Sequence, residues 1–207
     1  MKIYSSVIPA YTVDSVFSPI RSKTDYIKIL ITAMRLLLIN VGEIDKAEPL
    51  LKVVIDKMSR LFFYDKTKYF SVSFPFIIEE EDGLIKLFIT YSGKEINNKA
   101  LSELSYILNS NQYVHSQSLL DFYIEPYDIS FDSIYLLEEM LLIEPAYIRY
   151  DFDPKYEEGK LHPLHHLDLH YSQYSTFKIG LFDSIKEDLF EDIHNTKTDC
   201  IFLNHNI

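Results

Sequence analysis

Two segments in the first third of the chain repeat apolar residues at the spacing of an α-helix. Residues 22–41 open on a serine and an aspartate at capping-box spacing, and Gly42 follows them as a helix terminator. Residues 45–62 open on Asp45 and Glu48, which have the same spacing. Pro49 falls in the first turn, where a helix tolerates a proline. The pattern predicts a helical hairpin.

The apolar period then changes to two, which is typical of β-strands. Residues 69–78 alternate apolar and polar positions, residues 84–91 form a second run, and Asp82-Gly83 stands between them. An Asp-Gly pair favours a tight hairpin turn, because both central residues of that turn take positive φ. A helical stripe over residues 97–108 completes this half of the chain.

The second half alternates helix and strand patterns. Capping residues and apolar periods predict two helices, one over 131–143 with Asp128 or Ser130 as its cap and one from Ser184 to about 194. The predicted strands are 119–124, 147–152, 165–171, 176–181 and 200–203.

These elements predict an α+β fold. An N-terminal helical hairpin and a β-hairpin would pack on a C-terminal αβββαβ module, whose three consecutive strands form an antiparallel meander. We expect a single compact domain over residues 1–207, with sub-lobes at 1–110 (α-α-β-β-α) and 111–207 (αβββαβ).

Composition and charge narrow the class of protein. The chain is 47% hydrophobic and has a net charge of −11. Residues 1–110 carry 14 lysines and arginines against 13 acids, whereas residues 111–207 carry 6 against 18. An acidic surface repels phosphate backbones, which disfavours general nucleic-acid binding. With one cysteine and no apolar run long enough for a leader or a membrane span, we expect a cytoplasmic protein without membrane contact.

Candidate chemistry collects on one face of the predicted meander. Its apolar face would lie under the helices 131–143 and 184–194, with His165 as a core histidine bonded to a backbone group. The other face would carry a mixture of acids, imidazoles and cations. These residues are Arg149, Asp151, Asp153, His166, Asp168, His170, Thr176 and Lys178.

Three interpretations of that polar face remain open. His166, Asp168 and His170 have the spacing of metal ligands on a strand, which suits zinc, manganese or iron, with Asp151 or Asp153 as a further ligand. Alternatively, the histidines could act as acid and base without a metal, while Arg149 and Lys178 hold an anionic substrate. The third interpretation is a water-facing sheet surface of cross-strand ion pairs.

Two resemblances bear on this module. The order helix, three strands, helix, strand over residues 131–203 resembles the restriction-endonuclease-like fold, in which a carboxylate and an acid-x-Lys pair bind magnesium. The resemblance makes Asp168 the carboxylate and Lys178 the lysine, but Thr176 stands at the acidic position, so the motif is incomplete. Arg149-Tyr150-Asp151 followed by a His-Pro-x-x-His box from His162 also resembles an uncharacterised bacterial family, which implies a bacterial setting and no specific activity.

Two functions follow as expectations. The first is a bacterial interaction or accessory subunit, of a toxin–antitoxin or phage-defence type, that docks a basic protein partner through the acidic C-terminal half. The alternative is a metal-dependent nuclease or phosphohydrolase. Its catalytic residues would be Asp168, Lys178, Arg149 and Asp151, its metal ligands His166, Asp168 and His170, and its cofactor zinc, manganese or magnesium.

Overall fold

A seven-stranded antiparallel sheet forms the centre of the protein in a computed structural model, which describes residues 1–39, 49–124, 128–172, 174 and 177–202. The sheet takes strands from both halves of the chain. In spatial order they are β1 (Lys2–Val7), β2 (Leu50–Ile55), β3 (Ser59–Tyr64), β4 (Lys68–Ser73), β8 (Ile148–Phe152), β9 (His165–Leu169) and β10 (Phe177–Leu181).

A smaller antiparallel sheet and seven helices complete the described part of the chain. The small sheet contains β5 (Phe76–Glu81), β6 (Leu84–Ile89) and β7 (Glu95–Ile96). The helices are α1 (Ala10–Val16), α2 (Lys23–Ile39), α3 (Asn98–Asn109), α4 (Asn111–Ser116), α5 (Leu120–Ile124), α6 (Phe131–Leu142) and α7 (Glu187–Asp192). In the described ranges, none of the helices is long and apolar enough to cross a bilayer.

The large sheet is buried on both faces. On one face, Phe63 and Phe70 stack with their ring centroids 4.3 Å apart and join the main core, which includes the apolar sides of α2, α3 and α6. On the other face, Phe62 and Tyr150 form a second core with Phe190 of α7. Burial on both faces explains why β2 and β3 carry apolar residues at consecutive positions.

The α+β class and the antiparallel meander are confirmed, and so are several local signals. Ser22 and Asp25 form the predicted capping box, in which the Asp25 N–H donates to the Ser22 hydroxyl at 3.2 Å and the Ser22 N–H donates to the Asp25 carboxylate at 2.9 Å. Ser130 caps α6. Asp82 and Gly83 form the β5–β6 turn with φ values of 53° and 77°.

The prediction of a second helix in the N-terminal hairpin is wrong. Residues 50–64 form β2 and β3, joined by a turn in which the Asp56 N–H donates to the Met58 carbonyl at 2.8 Å. These strands are rich in β-branched and aromatic residues, and burial on both sides puts apolar residues at positions that also match a helical period. Gly42 and the predicted cap at residues 45–48 lie outside the described residues.

Three further element predictions need correction. Residues 119–124, predicted as a strand, belong mostly to α5, because the Ser118 hydroxyl accepts the Leu120 N–H and starts a helical turn. The predicted capping box at Ser184 does not form, and α7 begins at Glu187. The described residues 200–202 are not in a strand, so the sixth element of the αβββαβ module is missing from that range.

His194 makes stability dependent on pH. Its ring lies 5.3 Å from the Phe62 ring and 5.1 Å from the Phe190 ring, and Nδ1 donates to the Phe190 carbonyl at 2.8 Å. Burial first, and the Arg60 charge second, lower the pKa of His194 from 6.5 to about 4, although the bond to the Phe190 carbonyl opposes them. The native state therefore keeps the ring neutral where the unfolded chain protonates it.

We expect this histidine to cost stability as the pH falls from 6.5 towards 4, and the full contribution to be present above pH 6.5. When the pH is lowered from about 7 to about 4.5, the free energy of unfolding should fall in both proteins. The fall should be about 2 to 3 kcal/mol smaller in His194→Phe than in the wild type. Urea unfolding at both pH values measures this difference. His115→Phe, at an exposed histidine, is the control, and equal losses in wild type and His194→Phe would contradict the assignment.

Candidate functional site

The register of the large sheet brings the predicted polar residues together. Arg149 on β8 lies opposite Asp168 on β9, which in turn lies opposite Lys178 on β10. Asp151 lies between Lys68 on β4 and His166 on β9. Residues directly opposite each other on neighbouring strands share a face, so both rows lie on the same side of the sheet.

This polar face is buried rather than water-covered at its centre. Arg149 and Asp151 are each 6% exposed and His166 is 1% exposed. The rows continue the face that carries Phe63 and Phe70, so α6 belongs to the polar side of the sheet. The prediction that 131–143 covers the opposite, apolar face is therefore wrong, and of the two predicted helices only α7 packs there.

A cavity of about 270 Å³ opens over the two rows. Its charged lining combines four cations with three carboxylates, so it is far less acidic than the rest of the C-terminal half. The cations are Arg21, Lys68, Arg149 and Lys178, and the carboxylates are Asp151, Asp153 and Asp168. An acidic protein thus presents a locally balanced pocket that can accept an anion.

Arg149 and Asp151 form the ion pair at the base of the cavity. The Arg149 Nε donates to the Asp151 carboxylate at 2.8 Å. Burial alone would lower the pKa of Arg149, but Tyr147 and Asp151 outweigh burial and raise it above its ordinary value. Burial raises the pKa of Tyr147 to about 12, although Arg149 opposes the rise. The arginine therefore stays charged and holds Asp151 in place.

One ring nitrogen of His166 is held by a backbone carbonyl, and the other faces Asp151. Its Nδ1 lies 2.9 Å from the Pro163 carbonyl, and a carbonyl oxygen can only accept, so Nδ1 carries the proton. In the neutral tautomer with the proton on Nδ1, the lone pair is on Nε2, which lies 3.9 Å from a carboxylate oxygen of Asp151. A histidine whose second nitrogen donates to a backbone carbonyl is the usual arrangement of a metal ligand.

Asp151, His166 and Asp168 form a potential metal-binding group. One ligand atom from each residue lies within 4.8 Å of the other two. Ligands around one ion are separated by roughly 3 to 4 Å when bonds are about 2.1 Å long, so small side-chain adjustments would complete the geometry. Three protein ligands leave coordination positions for water or substrate, as in catalytic sites.

The structure does not bring His170 into this group. Strand β9 ends at Leu169, and His170 has a φ of 61°, which ends the alternation that would have kept it beside Asp168. Its N–H donates to the Tyr147 carbonyl at 2.8 Å, and its ring packs on Tyr171. The group therefore has Asp151, which the sequence indicated only as an additional candidate, at the place where the sequence predicted His170.

The remaining histidines of the stretch have other surroundings. His162 lies over the cavity, with its ring centroid 4.7 Å from that of His166 and its Nε2 4.0 Å from Asp153. His165 lies on the opposite face, where its Nδ1 bonds the Tyr150 hydroxyl at 2.8 Å instead of the predicted backbone group. Thr176 lies outside the described residues.

Sequence patterns did not identify Lys68 and Arg21 as residues of this site. Lys68 reaches it because β4 pairs with β8, and Arg21 lies in the loop before α2. Both contacts depend on long-range pairing between segments that are distant in the chain. No local sequence pattern predicts that Lys68 and Arg21 belong to this site.

Gly180 supports His166 indirectly. It lies opposite His166, and a Cβ atom at this position would lie 2.9 Å from Cγ of Pro163, the residue whose carbonyl fixes the His166 tautomer. We expect Gly180→Ala to displace Pro163 and weaken metal binding by about 10-fold. Titration with Mn²⁺ measures the effect. Adding Pro163→Ala should restore part of the affinity by relieving the contact, and full affinity in Gly180→Ala would contradict this role.

Comparisons with known proteins add no relatives: no family model, curated protein or solved structure matches the chain. The chemistry of the site therefore has to be inferred from the residues themselves.

Proposed function

We propose that the protein is a metal-dependent phosphohydrolase that acts on small phosphate esters. The observation that supports it most is the group of Asp151, His166 and Asp168, whose ligand atoms lie within 4.8 Å of one another in a cavity that four cationic side chains also line. Two carboxylates and one imidazole suit Mn²⁺ or Zn²⁺. Such an ion, when bound, activates water for attack and polarises a phosphoryl oxygen.

Each side chain of the site has a role in this proposal. Asp151 and Asp168 supply carboxylate oxygens, and the Nδ1–H bond to Pro163 directs Nε2 of His166 towards them. Arg149 orients Asp151 through their ion pair. Lys68 and Lys178, on the strands that flank the group, would bind the non-reacting phosphate oxygens.

The size and charge of the cavity favour a small substrate. A volume of about 270 Å³ accommodates a phosphate and part of its ester group. Duplex nucleic acid is disfavoured, because the 18 acids against 6 cations in residues 111–207 would repel its backbone.

A hydrolysis assay tests this function. We expect the purified protein to release nitrophenol from p-nitrophenyl phosphate or its bis-ester when Mn²⁺ or Zn²⁺ is present, and to stop when EDTA is added. Supercoiled plasmid should remain intact under the same conditions. Absence of metal-dependent hydrolysis of both esters would reject the proposal, and cleavage of plasmid alone would replace it with a nuclease function.

A further inference from the structure

A second cavity, of about 570 Å³, lies on the opposite face of the same strands. Tyr69 on β4, Tyr150 and Phe152 on β8 and His165 on β9 supply its aromatic lining. Its charged lining is Lys66, which precedes β4, together with Lys186, Glu187 and Asp188 from the segment that leads into α7. The proposed metal site does not use this cavity, because side chains alternate between the two faces of β8.

The aromatic lining is fixed by contacts within the sheet. The Tyr69 and Tyr150 ring centroids are 5.2 Å apart, and the His165 ring stacks on Phe152 at 5.1 Å with an interplanar angle of 22°. The Tyr150 hydroxyl and His165 Nδ1 are joined by a 2.8 Å hydrogen bond. A ligand would therefore meet rings that are already positioned, which reduces the entropy lost on binding.

The charge beside these rings is mainly negative. Residues 183–192 carry five acids and one lysine, and Asp183, Glu187 and Asp188 are exposed. Glu191 is already paired, because Lys52 Nζ lies 2.6 Å from its carboxylate and the Tyr64 hydroxyl donates to it at 2.7 Å. Burial, and then repulsion from the neighbouring Glu191 and Asp188, raises the pKa of Glu187, as expected for closely spaced acids. The acids of residues 183–192 outside the cavity lining therefore add negative charge to a lining of two lysines and two carboxylates.

We propose that this aromatic cavity binds an arginine side chain of a basic protein partner. The guanidinium would stack on the rings of Tyr69 and Phe152 and pair with the carboxylates of Glu187 and Asp188. A guanidinium suits the site better than an ammonium, because it is planar, less strongly hydrated and able to pair with a carboxylate through two bonds.

Lys66 and Lys186 also line the cavity, and they define the competing ligand class. Two lysines beside aromatic rings could hold a nucleotide, with its base stacked and its phosphate on the ammonium groups. The acidic excess of residues 183–192 and of the whole C-terminal half favours the cation. Lys66, Lys186, Glu187 and Asp188 are all exposed, so solvent screens their charges alike, and the net charge of the surrounding segment decides between the two ligand classes.

Peptide titration of the metal-free protein tests the proposal independently of the hydrolase function. The probes are a capped Gly-Gly-Arg-Gly-Gly peptide, the same peptide with citrulline in place of arginine, and uridine monophosphate. We expect the arginine peptide to bind at least about fivefold more tightly than the citrulline peptide, because citrulline has the same shape and no charge. Nuclear magnetic resonance titration or calorimetry reports both affinities.

Three variants locate the binding. Glu187→Gln and Phe152→Leu should each weaken the arginine peptide by about fivefold or more, since one removes a carboxylate and the other an aromatic face. Glu144→Gln removes a carboxylate whose side chain is 83% exposed outside this cavity, and it should leave affinity unchanged. Equal binding of the arginine and citrulline peptides, no binding of either, or binding of the nucleotide alone would overturn the proposal.

Discussion

His166→Gln and Asp168→Asn are each expected to lower kcat/KM for metal-dependent ester hydrolysis by at least about 100-fold. His166 is 1% exposed, and its Nε2 points towards the carboxylates, so glutamine leaves a side chain of similar length without the imidazole ligand. Asparagine keeps the shape of Asp168 and removes its negative charge. Initial rates over a range of substrate and Mn²⁺ concentrations measure the loss.

His170→Gln is the matched control for this prediction. It changes the same residue type four positions along the chain, at an exposed side chain that lies outside the metal-binding group. Its kcat/KM should stay within about twofold of the wild-type value. A large loss in His170→Gln, or wild-type rates in His166→Gln, would contradict the assigned ligands.

The buried ion pair at the base of the cavity should produce the largest effect on stability. Asp151→Ala leaves the Arg149 guanidinium, which is 6% exposed, without its 2.8 Å partner. Removing one member of a buried pair typically costs about 3 to 5 kcal/mol, because an uncompensated charge stays in the interior. Urea unfolding in the presence of EDTA measures this cost without a contribution from bound metal.

A double replacement separates charge from packing. Arg149→Met with Asp151→Leu removes both charges and keeps apolar volume, so it should recover about half or more of the stability lost by Asp151→Ala. The double variant should also fail to bind metal, because a ligand is gone. The double variant could instead lose as much free energy of unfolding as Arg149→Met and Asp151→Leu lose in sum. The pair would then not act as a charge-compensated unit.

Local sequence signals predicted local structure well. The Ser22 and Ser130 caps and the Asp82-Gly83 turn depend on contacts between residues at most three apart, and the structure has all of them. Residues 45–62 match a helical pattern, although residues 50–64 form two strands, because strands covered on both faces lose the alternation that distinguishes them. That covering depends on α7, whose Phe190 reaches Phe62 from a distant part of the chain.

The candidate site was predictable strand by strand but not as a cavity. Alternation placed Arg149 with Asp151, and His166 with Asp168, on common faces. It also suggested His170, because positive φ at a histidine has no signature in the sequence. Burial of the polar face and the contribution of Lys68 both follow from β4 pairing with β8, a contact between distant segments.

Metal binding at equilibrium tests the central claim most directly. Dialysis of the purified protein against Mn²⁺ or Zn²⁺, followed by elemental analysis, is predicted to give about one ion per chain. The same measurement should give a similar value for His170→Gln and a strongly reduced value for His166→Gln and Asp168→Asn. Equal metal content in all four proteins, or none in the wild type, would contradict a metal site formed by Asp151, His166 and Asp168.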